Sequence, residues 1–184
     1  MRKMITVKIN GEERQYPQGA TYEDVANDYQ QEYENLIALA ARDGKIRELF
    51  KKLTRDCEVT FFTLKDDVGN KTYVRSATML FLKAVFDVYG REAAQSCRVE
   101  FAIGNGSYIS PKGKINATEE NAAKIRNRMR ELVEAKTPFL KRSYSLDNAM
   151  ELFRKEGMKD KEKLFRYRRG SFVNIYEMDG YYDY

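Results

Sequence analysis

Any chemistry done by this 184-residue chain would have to manage without imidazole, because the sequence contains no histidine. That removes the Ser-His and Cys-His nucleophile pairs, the imidazole general base and every His-ligated zinc site. Carboxylates, lysines, tyrosines or a metal held by oxygen ligands are what remain. The two cysteines, Cys57 and Cys97, form no CxxC and cannot supply the four N/S ligands of a structural zinc site. They read instead as small buried apolar residues of a reducing compartment. Phosphoryl transfer by the P-loop route needs GxxxxGK[ST], where backbone N–H groups cradle phosphate and a hydroxyl holds Mg²⁺. The pairs Gly44-Lys45 and Gly113-Lys114 are each followed by isoleucine and lack the upstream glycine. The residues define no catalytic set and no metal site.

Binding is better provided for. Gly104-Asn105-Gly106 reads as a turn, since Gly and Asn take positive φ readily, with a phosphate-binding nest as the alternative. Residues 112–142 hold nine Lys/Arg against four Glu, and residues 154–169 hold eight against three acids. These runs read either as solvated helix faces with i,i+4 pairs or as phosphate-contacting surfaces. Arg166-Tyr167-Arg168-Arg169 interleaves an aromatic ring with guanidinium groups, which suits phosphate contact and base stacking. Arg75 opens a strongly apolar segment, where it pairs with a carboxylate or receives an anionic ligand. Lys83 lies on the same segment.

The elements that would position these residues divide into two parts. Residues 1–65 carry 11 basic and 11 acidic residues, and the remainder carries 22 and 17, so the whole formal charge of +5 falls after the turn-like Lys65–Asn70. In the first part, Ile5, Val7 and Ile9 alternate as on a half-buried strand, and Asn10-Gly11 is a hairpin signal leading to a strand that ends at Tyr16-Pro17. Thr21 caps a helix with Glu23 and Asp24 in its first turn. Leu36 to Ala41, Ile46 to Leu49 and Cys57 to Phe62 read as further strands. The order is that of a β-grasp, or ubiquitin-like, layout. In the second part, Arg75 to Tyr89 predicts a central, buried helix. Arg98 to Ile109, alternating through Val99, Phe101 and Ile103, predicts a hairpin around Gly104-Asn105-Gly106, and Asn116 to Lys136 an amphipathic helix capped by Asn116 and Glu119. Phe139 to Tyr144 predicts a strand, Ser145 caps a helix that Gly157 stops, and Phe172 to Tyr176 is a final strand before the tyrosine-rich tail.

The run "ITVKINGEERQYPQGATYEDVANDYQ", followed by "NLIALAARDGKIRELFKKLTRDCEVTFFT", resembles the TGS domain of threonyl-tRNA synthetases, some GTPases and stringent-response enzymes. Asn10-Gly11, Gly19-Ala20-Thr21, Ala40 and Asp43-Gly44-Lys45 carry the likeness. The second part resembles the editing-type domain of threonyl- and alanyl-tRNA synthetases. In those enzymes a long helix carries an HxxxH pair and a later Cys/His pair completes the hydrolytic site. Here Arg75 and Met79 fall at the two histidine positions, so the deacylation chemistry is missing. "YVRSATMLFLKAV", "IGNGSYIS", "MELFRKEGMKDKEKLFRYRRGS" and "VNIYEMDGYYDY" resemble most the N-terminal region of bacterial uridine kinase-like nucleoside kinases.

These resemblances imply an α+β chain with a TGS β-grasp domain over 1–65 and a degenerate editing-like domain over 66–184. They imply a non-catalytic accessory region whose ligand contacts are Arg75, Lys83, Asn105, Gly106 and Tyr108, with Arg166, Tyr167, Arg168 and Arg169 meeting RNA or phosphate. A C-terminal P-loop kinase domain of the same polypeptide would be the partner. ATP and Mg²⁺ would belong to that parent kinase, and no cofactor to this segment. The alternative is a stand-alone RNA- or tRNA-binding module related to threonyl-tRNA synthetase N-terminal domains. Without a signal-peptide pattern or a run of about 20 apolar residues, a cytoplasmic protein without membrane contact is expected.

Overall fold

The computed structural model describes residues 3–104, 106–113 and 115–184, and the chain divides into two compact units, Met1–Ser76 and Ala77–Tyr184. The architecture is α+β.

In the first unit, strand β1 (Met4–Ile9) buries Ile5, Val7 and Ile9, and Asn10 and Gly11 turn it with φ of 52° and 89° into antiparallel β2 (Glu12–Pro17). Two successive positive φ values match the right-handed twist of the strands, which is why Asn-Gly serves there. Helix α1 (Tyr22–Tyr29) is fixed at its start by a capping box. The Asp24 N–H donates to Thr21 Oγ1 at 3.1 Å, and the Thr21 N–H donates to Asp24 Oδ2 at 2.7 Å. The Thr21 N–H, and after it the Thr21 hydroxyl donating to the same oxygen at 2.8 Å, hold the Asp24 pKa below its ordinary value. The helix buries Tyr22, Val25, Ala26 and Tyr29. Strand β3 (Ile37–Arg42) turns through Asp43-Gly44 into the short β4 (Lys45–Arg47), and β5 (Cys57–Thr63) enters the middle of the sheet. The order is β2-β1-β5-β3-β4, with β5 parallel to β1 and antiparallel to β3, so the sheet is mixed.

Helix α2 (Asp67–Tyr89) begins eight residues before the expected start at Arg75, and the division between units falls inside it. Asp66 explains the early start. Its carboxylate accepts from the Thr63 N–H and hydroxyl at 2.7 and 2.9 Å, and its carbonyl accepts the Asn70 N–H at 2.8 Å, which nucleates the first turn. Gly69, which the sequence reads as a turn glycine, is helical. A Cβ on it would stand 2.0 Å from the Thr63 carbonyl oxygen, so its hydrogen is what lets the helix close on the end of β5.

The second unit continues with α3 (Arg91–Ser96), which the sequence did not announce, and then the hairpin β6 (Arg98–Ile103) and β7 (Gly106–Ser110). Helix α4 (Glu119–Glu134) starts later than expected, because Thr118, not Asn116, caps it by accepting from the Asn121 N–H. The Asn116 carbonyl instead accepts from the Asn121 side chain. Strand β8 (Leu140–Ser145) leads directly into α5 (Leu146–Lys155) capped by Ser145. Gly157, at φ 69°, stops that helix while the Met158 N–H returns to the Phe153 carbonyl. Helix α6 (Lys159–Phe165), β9 (Phe172–Met178) and β10 (Tyr181–Asp183) complete an antiparallel sheet of order β10-β9-β8. Phe153, Phe165, Val173, Ile175, Met178 and Tyr181 form its core with Met79, Ala84 and Val85 of α2. Tyr181 packs on Phe86 and Tyr184 on Phe165, so the tyrosine-rich tail is an edge strand whose rings serve the core.

Replacing Gly69 by Ala forces the Thr63 carbonyl away from α2. Urea unfolding followed by circular dichroism is expected to show a loss of about 2 kcal/mol, whereas Ala at the exposed neighbour Asn70 is expected to stay within about 0.5 kcal/mol.

Candidate functional site

The residues singled out in the sequence fall in both units. Arg75 lies exposed on α2 within the first unit. Its place is not at the start of a buried helix, because α2 begins earlier and its first turns are solvated. Lys83, Gly106 and Tyr108 belong to the second unit. Asn105 lies outside the described residues.

Lys83 is 2% exposed and engaged within the protein. Its ammonium donates to Asp87 Oδ1 at 2.7 Å and to the Asp179 carbonyl at 2.6 Å, and it lies 3.3 Å from Asp179 Oδ2. Two hydrogen bonds and a third, ionic contact thus surround the ammonium and offset the cost of burying it. Asp87 also accepts from Arg128 Nε at 2.9 Å, and Arg128 Nη1 donates to Glu131 at 2.8 Å. The bonds to Glu131 and Asp87 raise the Arg128 pKa. The network joins α2, α4 and the turn between β9 and β10. It is structural in its geometry.

Tyr108 stands on β7 opposite Phe101 of β6, the two rings stacked at 5.2 Å between centroids with 21° between planes. Both are about half exposed, and Ile103 beside them is 60% exposed. The hairpin expected over Arg98 to Ile109 is formed by β6 and β7, and all six residues of β6 are exposed. The pairing shifts register between Val99 and Phe101. Val99 pairs with Ile109 and Phe101 with Tyr108, and neighbours on β7 point to opposite faces, so Val99 is on the other face from Phe101. On the Ile109 side lies a groove of about 500 Å³, walled by Phe81, Cys97, Pro111, Ile125 and Met129 and by the start of α4. Cys97 is half-buried there, and desolvation pushes its thiol pKa up. Cys57 is likewise half-buried rather than buried, with its pKa raised mainly by desolvation.

Arg166, Tyr167, Arg168 and Arg169 follow α6 as an exposed stretch, with Tyr167 78% exposed. Arg166 donates to Glu162 at 3.2 Å, and Glu162 also accepts from Arg154 at 3.2 Å. The bond from Arg166, then that from Arg154, lowers the Glu162 pKa. Arg168 and Arg169 lie beyond this pair on the loop to β9, flanked by exposed Leu164 and Phe172. Those two apolar neighbours escaped the sequence reading, although an apolar residue at each edge of a basic run is visible in it. Among the described residues, no helix is long and apolar enough to cross a membrane.

Compared with known proteins, the chain is similar to threonine–tRNA ligases. It is 27% identical to that of Thermotoga neapolitana over 187 residues, covering 94% of this chain and 28% of the ligase. The Thermotoga maritima ligase is 27% identical over 186 residues, covering 93% and 28%. The Maricaulis maris ligase is 26% identical over 182 residues, covering 98% and 28%. No family model matches the chain. The chain spans little more than a quarter of the length of these relatives. They support a likeness to threonyl-tRNA synthetases and give no support to the nucleoside kinase parent.

Lys83→Met removes the cation at the centre of the α2–α4 network and leaves Asp179 without its partner. A loss of about 3 kcal/mol in urea unfolding is expected, with Lys83→Arg falling between the two because its longer fork cannot fit the same three acceptors.

Proposed function

We propose that this chain is a non-catalytic, RNA-contacting module of the kind that threonyl-tRNA synthetases carry, acting on tRNA. In this reading residues 1–65 form a TGS-like β-grasp domain and residues 66–184 an editing-like domain without its hydrolytic groups. The mixed sheet of order β2-β1-β5-β3-β4, crossed by one helix between β2 and β3, is compatible with the first assignment. The likeness to threonine–tRNA ligases along more than nine-tenths of the chain supports the relation to tRNA. The observation that carries the reading is the exposed stretch Arg166-Tyr167-Arg168-Arg169. It lies in the unit that holds all of the net positive charge, 20 basic against 15 acidic residues, while the first unit holds 13 of each.

The physical logic is simple. Guanidinium groups on a solvated loop can reach phosphate oxygens in two-pronged bonds, and each contact made releases counterions. An adjoining tyrosine offers a π-face to a base. The histidines of the editing-type site are missing, so binding without hydrolysis by that route is the expected outcome.

Titration of unmodified tRNA at several salt concentrations tests this. The wild-type chain is expected to bind with a steep loss of affinity as salt rises. Replacing Arg166, Arg168 and Arg169 together by Ala is expected to weaken binding and to reduce the log–log salt slope by about three. Absence of tRNA affinity even at low salt would remove the reading.

A further inference from the structure

The β6–β7 hairpin forms a two-stranded sheet of its own, and one of its faces is the exposed side opposite to that of Val99 and Ile109. That face carries Phe101, Ile103 and Tyr108, and all six residues of β6 are exposed. Side chains of this size are rarely displayed together on a sheet without an occupant. Phe101 and Tyr108 stack on each other, so one π-face of each is satisfied within the protein while the other remains open. Gly106, opposite Ile103, presents no side chain beyond the ring pair. Arg98 at the start of β6 and Lys112 just past β7 place positive charge at the base of the hairpin, Lys112 lying 3.6 Å from Glu100 with half its side chain exposed.

We propose that this face is a stacking platform for the unpaired bases of single-stranded RNA. The inference rests on the RNA-contacting reading above and names the part of the RNA that a second surface would hold. Exposed aromatic rings on a sheet, flanked by cations, are what base recognition without duplex geometry requires, because every base offers a π-face and every nucleotide a phosphate. The charge of the unit fits that occupant. A second copy of the chain fits it poorly. Two units of like charge would repel, and three side chains present far less than the roughly 1,200 Å² that a stable pair of proteins buries. Gly106 and Tyr108 thereby acquire a role distinct from the phosphate nest considered for the Gly104–Gly106 turn. Gly106 keeps the face flat and Tyr108 supplies a ring.

The test uses the full chain and two RNAs, a blunt two-stranded duplex and the same duplex with a 3′ overhang of about four nucleotides carrying 2-aminopurine. The wild type is expected to bind the overhang RNA about tenfold more tightly than the blunt one and to quench the 2-aminopurine. Tyr108→Leu and Phe101→Leu are expected to lose that preference and the quench while binding the blunt RNA as before. Tyr108→Phe keeps the ring and is expected to keep both, which separates stacking from a folding defect. Equal wild-type binding of the two RNAs, or a preference and quench that survive Tyr108→Leu, would overturn the platform and leave the RNA reading intact. Wild-type binding of neither RNA would overturn both.

Discussion

The second unit is organised around one buried cation. Lys83 stands at the middle of α2 where neighbouring positions are apolar, and its ammonium is enclosed by Asp87 one turn on and by both the carbonyl and carboxylate of Asp179. A lone ammonium in that position would be strongly disfavoured, so the turn between β9 and β10 must stay docked on α2 for the unit to fold. Asp87 passes the constraint on to Arg128 of α4. The small sheet, the long helix and the amphipathic helix are thus held in one register by charge as well as by apolar packing. What the unit turns outward follows from this arrangement. The residues not needed for the core or the network are the β6–β7 hairpin and the arginine-rich stretch after α6.

Much of this was legible in the residues. The alternation of Ile5, Val7 and Ile9, the Asn10-Gly11 turn, the Thr21 and Ser145 caps and the Gly157 stop each rest on local chemistry, and the structure has them where the sequence puts them. The failures are just as specific. Gly69 looks like a turn residue because glycine usually is one, and its reason for being in a helix is a carbonyl six residues earlier. The Val99-Phe101-Ile103 alternation puts all three on one face because a period of two assumes an unbroken register, and one shift moves Val99 to the other face. The buried ion network of Lys83 was not foreseen, because its acceptor at Asp179 is 96 residues away in the chain. Pairings of that range leave no trace in a single sequence.

The same division separates the candidate residues. Arg166, Tyr167, Arg168 and Arg169 were legible because charge and aromaticity adjoin in sequence, and they stand exposed on one stretch. Phe101 was not, since its pairing with Tyr108 depends on the shift. A chain without histidine and with its net charge confined to one unit has a restricted set of tasks. Holding a polyanion fits both facts. The proposed function takes that polyanion to be tRNA, and in that reading the two exposed surfaces divide the contacts between phosphate and base.

Amide hydrogen exchange of the whole chain, with and without saturating tRNA, probes this account most directly. Slowed exchange in peptides covering residues 98–110 and 164–172, with the first unit's sheet unchanged, is the predicted result. Protection confined to residues 1–65, or none anywhere while tRNA is bound, would contradict it.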